Sequence, residues 1–281
     1  MTQNQLQQFA QFASRIRLKT LKIITRACAG HIGSDFSIVD ILTVLYNDIL
    51  KFNAKQPNWL DRDRFILSKG HACACLYAIL AEKGFFPKSW LDKFYLPGGL
   101  LPGHATHTVP GIEVSTGALG HGLPIACGMS LAAKLDRKKW RVFCLISDGE
   151  LDEGSTWEAL LFAPHHQLDN LTIIIDYNKI QALGKNDKVL NLEPLVDKLR
   201  AFNWQVREID GHNFNEIKSA LIIAPVKTDS PSCIIANTIK GKGVSFMEDK
   251  LEWHYKTPND KKFEKAVKEL KTQNSKLKTT T

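Results

Sequence analysis

The chain has 281 residues, of which 44% are hydrophobic, 23% charged and 9% aromatic. That balance suits a soluble globular protein of one large domain or two small ones and excludes disordered, collagenous and low-complexity chains. No run approaches the roughly 18 apolar residues of a membrane helix. The formal charge of +8 invites a nucleic-acid partner, but residues 261–281 alone hold seven lysines against two glutamates. The rest is too evenly balanced to track a phosphate backbone, so neither nucleic acid nor membrane is an expected partner.

Taken in order, Arg15, Arg17, Lys19, Lys22 and Arg26 lie among Leu6, Phe9, Phe12, Ile16, Ile23 and Ile24. This predicts an amphipathic helix over 4–28, not a secretory signal. Further helices are expected at 37–50, 72–84, 119–135, 154–167, 193–202 and 213–224. Short apolar runs at Arg64–Leu67, Arg141–Ile146, Leu171–Asp176, Trp204–Ile209 and Cys233–Asn237 read as buried strands, each stopping near a Gly, Asn or Asp. The alternation predicts an α/β fold: a doubly wound, mainly parallel sheet with helices on both faces. Residues 97–103, rich in Pro and Gly, predict an irregular crossing. Beyond Pro258 the pattern thins into a lysine-rich surface helix and a frayed tail, giving a main domain at 1–258 and a basic appendage at 259–281. Cysteines at 28, 73, 75, 127, 144 and 233 lack Cys-x-x-Cys spacing and read as reduced core thiols of a cytoplasmic protein.

Two features carry chemistry. Nine histidines and eighteen glycines should form fewer than one Gly-His pair by chance, yet there are five: Gly30-His31, Gly70-His71, Gly103-His104, Gly120-His121 and Gly211-His212. None has the i, i+4 spacing of a helical zinc site, so they are expected to be ligand-contacting donors on tight loops. Second, the strand ending near Ile146 runs into Ser147-Asp148-Gly149-Glu150, a helix follows, and the next strand ends near Asn178. A right-handed crossover brings both strand ends to one edge. There Asp148 and Asn178 can face one cation with hard oxygen ligands suited to Mg²⁺ or Ca²⁺, of which Mg²⁺ prefers to complete its shell with phosphate oxygens. Gly149 admits phosphates closely, and the turn after it is expected to offer free N–H groups to them.

These residues resemble the thiamine diphosphate enzymes, whose signature is Gly-Asp-Gly followed at a distance by Asn, and among them the transketolases. The resemblance extends through Cys28–Gly33, Asp63–His71, Pro102–His104, Glu113–Gly122, Ser147–Gly154, Asp176–Gln181, Asp210–His212 and Lys240–Gly243, with His254 beyond. It implies the thiamine diphosphate-binding fold, with thiamine diphosphate and Mg²⁺ (Ca²⁺ or Mn²⁺ as substitutes) as cofactors. By that resemblance Asp148, Asn178 and the Ile180 carbonyl hold the metal. His71, Gly149 and His254 contact the diphosphate, Gly117 and Leu119 lie against the thiamine, and His31, His104 and His254 face the reacting part of the sugar. Glu153 matches a glutamate linking two cofactor sites across a dimer interface.

The match stops where the diphosphate-binding domain of a transketolase stops. It implies the N-terminal subunit of a split, cytoplasmic enzyme whose C-terminal subunit is a separate chain, assembled as a dimer of heterodimers and acting on sugar phosphates. Three departures stand out: Ser147 replaces the signature's first Gly, no Pro follows His104, and Gln181-Ala182-Leu183-Gly184 replaces a more polar run. The alternatives are an acyloin-type transferase, a 2-oxo acid dehydrogenase α-subunit, or a non-catalytic scaffold subunit; the histidine blocks favour transketolase over the dehydrogenase.

Overall fold

In the computed structural model the described residues are 1–224 and 229–279, the last six as helix backbone. The elements are α1 (Gln3–Ala27), α2 (Ile32–Ser37), α3 (Val39–Val44), β1 (Arg64–Leu67), α4 (Cys73–Lys83), α5 (Gly122–Leu135), β2 (Val142–Ser147), α6 (Gly154–His165), β3 (Leu171–Tyr177), α7 (Asn186–Val189), α8 (Leu195–Ala201), β4 (Gln205–Asp210), α9 (Phe214–Ile223), β5 (Ser232–Asn237) and α10 (Asp260–Thr279). The strands form one sheet in the order β1-β2-β3-β5-β4, and every pair is parallel. Alternation along each strand divides the core between the two faces. Phe143, Leu145, Ile174, Ile234 and Ala236 pack on the side of α1, α3, α4 and α9. Cys144, Ile146, Ile173, Ile175, Cys233 and Ile235 pack on the side of α5, α6 and α8. This is the doubly wound α/β fold that the sequence predicts.

Three expectations are corrected. The helix expected at 37–50 is instead α2 and α3, broken at Ile38, followed by a π-helical turn over Leu45–Ile49. Every residue of α2 and α3 is buried, so there is no polar face to give their start a periodic signature. The irregular crossing is much longer than 97–103: it runs to Gly122, because Gly117 and Gly120 take φ of +139° and +83°, which no helix accommodates. Finally, Cys28 is exposed while the other five thiols are buried; it caps α1 in the left-handed conformation at φ +51°.

The lysine-rich C-terminal segment is helical and lies on α1. Ala266 and Leu270 are buried in the same core as α1, and Ser14 Oγ donates to Leu270 O at 3.1 Å. Gln273 Nε2 donates to Gly243 O at 3.0 Å, and Glu269 accepts from Ser245 N–H at 2.7 Å. One face of α10 is therefore packed and only the other is solvated. Among the described residues no helix is long and apolar enough to cross a membrane.

Candidate active site

The carboxyl ends of parallel strands are where an open α/β sheet builds its sites, and here they share one cavity of about 240 Å³. Ser147 pairs in register with Asp176, and Tyr177 with Asn237, so the residues just past β2, β3 and β5 emerge side by side. The cavity is lined by His31, Ser34, His71, His104, Gly117, Leu119, Ser147, Asp148, Gly149, Asn178, Ile180, Gln181, Ala182, Lys240 and His254. Every residue that the resemblance assigns to the site is among them except Glu153. That residue is exposed at the N-terminus of α6, outside the cavity.

At the floor, Asp148 is 1% exposed and Asn178 5%. Asp148 Oδ1 accepts from Gly149 N–H at 2.8 Å, and its Oδ2 accepts from Lys179 N–H. Asn178 Oδ1 accepts from Ile180 N–H at 3.1 Å, while its Nδ2 donates to Asp176 Oδ2 at 2.9 Å. Burial, and the Asp176 carboxylate beside it, push the Asp148 carboxyl up; a cation would relieve both effects. Asp148, the Asn178 amide oxygen and the Ile180 carbonyl therefore form a hard oxygen set suited to Mg²⁺ or Ca²⁺. Among the described residues no group of three or more His, Cys, Asp or Glu could hold a metal, so any metal here rests on this mixed set.

Two buried ammonium groups stand next to it. Lys69 is wholly buried, donating to Asp176 Oδ2 at 2.6 Å and Ser34 O at 2.9 Å. Lys240, 1% exposed, donates to the Ile180 carbonyl at 2.9 Å. Burial and Lys69 push the Lys240 ammonium down. These two cations roughly balance Asp148 and Asp176, so a divalent ion added alone would leave the floor strongly positive. A diphosphate arriving with the metal would restore the balance.

The histidines form the walls. The His31 ring lies 4.7 Å from that of His71, 5.4 Å from His254 and 6.4 Å from His104, measured between centroids. Burial and His104 push the His31 imidazole down to about 4, and burial and Lys240 push His254 down to about 3. Burial holds His71 well below the usual histidine range. Held so low, the rings of His31, His71 and His254 are neutral at physiological pH, each with one donor and one acceptor. His254 Nδ1 is buried with no hydrogen-bond partner among the described residues, as expected of a group whose partner is a ligand. Opposite, a Cβ at Gly117 would come within 2.6 Å of the His104 ring, so the backbone there forms a bed that only glycine keeps open.

Of the five Gly-His pairs, His121 and His212 do not enter the cavity. His121 is exposed at the start of α5. His212 has both ring nitrogens engaged, Nδ1 with Asp40 Oδ2 at 2.8 Å and Nε2 accepting from Ile239 N–H at 2.9 Å. Asp40 is in turn held by Arg17, so His212 fixes the backbone next to Lys240 rather than meeting a ligand. The turn after Asp148 also differs from expectation. Its N–H groups are not free: Gly149 donates to Asp148 Oδ1, Glu150 to Ser147 Oγ at 3.2 Å, and Leu151 to Asp148 O at 3.0 Å. The side chains of Ser147 and Asp148 fold back onto the turn and engage them.

Sequence reasoning places Lys69, Glu150, Asp176 and Lys240 inside motifs but gives them no role. Asp176 accepts from Ser37 Oγ at 2.7 Å, from Thr238 Oγ1 and from Lys69. Glu150 is buried and accepts from Ser68 Oγ and from Gly120 N–H at 2.9 Å, tying the long crossing to the floor. A charged residue beside a strand end inside an apolar motif is the signal that could have found them.

Residues 9–276 match the family model described as transketolase, thiamine diphosphate binding domain. The chain belongs to the transketolase family. It is 44% identical over 262 residues, 93% of this chain and 95% of the relative, to a 6-deoxy-6-sulfo-D-fructose transketolase subunit of Clostridium sp. (strain MSTE9). It is 41% identical over 261 residues, 93% of each chain, to an apulose-4-phosphate transketolase subunit of Phocaeicola vulgatus. Among solved structures, a transketolase of Campylobacter jejuni superposes with a TM-score of 0.84 at 31% identity, covering 96% of this chain but 48% of that one. The chain thus spans nearly the whole of the relatives named as subunits and about half of the solved transketolase. The family match runs through most of α10.

Proposed function

We propose that this chain is the N-terminal, diphosphate-gripping subunit of a two-chain, thiamine diphosphate- and Mg²⁺-dependent transketolase. Together with a separate C-terminal subunit it would transfer a two-carbon ketol unit from a ketose phosphate to an aldose in the cytoplasm. The observation that carries this reading is a single cavity joining the oxygen set of Asp148, Asn178 and Ile180 to the ring cluster of His31, His71, His104 and His254. Asp148, Asn178 and the Ile180 carbonyl hold the metal, while His71, His254 and Gly149 face the diphosphate and Lys240 adds positive charge. Gly117 and Leu119 bed the thiamine. When bound, the cofactor supplies the nucleophilic carbon that carries the ketol unit.

The chain's own part in the chemistry is to orient and to move protons. Neutral His31 and His254, with His104, donate to the sugar's carbonyl and hydroxyl oxygens and accept or return their protons, work suited to imidazole. Exposed side chains beside the mouth support a partner that closes it: Leu183 is 80% exposed, and Tyr255, whose ring lies 4.7 Å from that of His31, is 61% exposed. A dimer of heterodimers is supported by Ile125 of α5 and Leu161 and Phe162 of α6, apolar yet exposed on packed neighbouring helices. Glu153 immediately precedes α6 and on this reading joins that interface.

The test is co-expression with a candidate C-terminal subunit, followed by assay of a panel of ketose donors and aldose acceptors that includes the two sugars named for its relatives. Asp148→Ala in the assembled complex should abolish both metal-dependent thiamine diphosphate binding, read by calorimetry, and transfer. Unchanged cofactor affinity in that variant would remove the metal assignment.

A further inference from the structure

We propose that the Ser147 hydroxyl donates a hydrogen bond to the diphosphate of the cofactor, an inference that rests on the thiamine diphosphate reading of the cavity. Ser147 and Glu150 form a reciprocal capping box: Glu150 N–H donates to Ser147 Oγ at 3.2 Å, and Ser147 N–H donates to Glu150 Oε2 at 3.4 Å. The box fixes the serine rotamer and uses its oxygen as an acceptor. A hydroxyl also has one proton to give, and no acceptor for the Ser147 proton stands among the described residues. Ser147 lines the cavity beside Asp148 and Gly149, the end that on this reading receives negative charge.

The backbone cannot supply that donor in its place. Gly149 N–H is bonded to Asp148 Oδ1 at 2.8 Å and Leu151 N–H to Asp148 O at 3.0 Å, so the amides of this turn are engaged within the turn itself. The box is anchored from outside as well, because Glu150 also accepts from Gly120 N–H at 2.9 Å and from Ser68 Oγ. The serine is thus held by the turn, one of its two lone pairs engaged and its donor free, which limits the rotamer entropy lost on meeting an anionic oxygen. A glycine at this position, as in the resembling signature, could form neither half of the serine's contribution.

The experiment uses the chain assembled with its C-terminal subunit; thiamine diphosphate is titrated calorimetrically in the presence of Mg²⁺, and the melting temperature is read without cofactor. Ser147→Ala and Ser147→Gly should each raise Kd about tenfold, and Ser147→Thr, which keeps the hydroxyl, should stay within about threefold of wild type. Ala and Gly also lose the cap and lower the cofactor-free melting temperature, so the Kd change is the diagnostic one. A lowered melting temperature with Kd within about twofold of wild type in Ser147→Ala would overturn the inference and leave the serine as a cap only. Loss of affinity in Ser147→Thr equal to that in Ser147→Ala would overturn it too. Wild-type complex that takes up no thiamine diphosphate would instead overturn the cofactor reading beneath it.

Discussion

At Gly117 the backbone sits at φ +139° and a side chain would run into the His104 ring at 2.6 Å. Gly117→Ala therefore has to strain the crossing and displace His104 together, costing about 1–3 kcal/mol. The expected result is a lower melting temperature and weaker thiamine diphosphate binding by calorimetry. The neutral histidines give a second prediction. Burial lowers the folded-state value of His254 to about 3, so between there and about 6.5 the unfolded chain binds a proton that the folded chain refuses. Its contribution to stability is complete above about 6.5 and is lost as the pH falls through that window. Melting curves of wild type and His254→Gln from about pH 7.5 to 4.5 should diverge, with the variant losing less stability on acidification; parallel curves would show that His254 is not held neutral. His254 came only from the resemblance, whereas His31, His71, His104, Asp148 and Asn178, which line the cavity, were legible because each sits beside glycine or at a strand end. Lys69, Lys240, Asp176 and Glu150 were not, because their importance lies in being buried together, and sequence does not report which charges share a low-dielectric interior.

Among the elements, α10 shows most plainly where pattern reading falls short. Its lysines suggested a solvated face, and one face is solvated, but Leu270 is 1% exposed and Ala266 fully buried against α1. Through Gln273 and Glu269 the helix also grips Gly243 and Ser245, a few residues beyond Lys240. Leu270→Ala should cost about 2–5 kcal/mol, the range for emptying a buried leucine site, measurable by urea unfolding. Removing 265–281 should weaken cofactor binding by loosening the segment that carries Lys240, whereas a merely solvated helix could be deleted without effect. The Arg17, Asp40 and His212 network grips the same segment from the other side, with Arg17 bonding Asp40 at 2.9 and 2.7 Å. Two separate devices thus position one buried lysine.

For the whole molecule, the sheet brings the cavity to its carboxyl edge and leaves the mouth bordered by exposed Leu183 and Tyr255. Catalysis by thiamine diphosphate needs the cofactor held at both ends, and orientation of reacting groups is worth orders of magnitude in rate. The isolated chain, saturated with cofactor and Mg²⁺, should consume no donor ketose, and activity should appear on adding the C-terminal subunit. Robust turnover by the purified chain alone would mean that the catalytic machinery lies within this cavity. On the proposed dimer-of-heterodimers reading, Leu161→Asp on the exposed face of α6 should shift the complex toward single heterodimers in light scattering, since a carboxylate is costly to bury at an apolar interface.

The sequence by itself determined the order of strands and helices, the parallel α/β class and most of the residues that line the cavity. Strands buried on both faces, turn-forming glycines and strand-end Asp and Asn leave local signatures, and the resemblance supplied Gly117, Leu119, Ile180 and His254. Only the tertiary structure decided which histidines converge. His31, His71 and His104 meet although they come from three separate connections, while His121 and His212, preceded by the same glycine, turn to solvent and to Asp40. It also decided that α2 and α3 are separate helices, that the turn after Asp148 satisfies its own amides, and that a lysine-rich helix packs on α1. These are outcomes of long-range packing and of competition among hydrogen-bond partners, set by which groups the fold brings within about 3 Å of one another and not by which residues are neighbours along the chain.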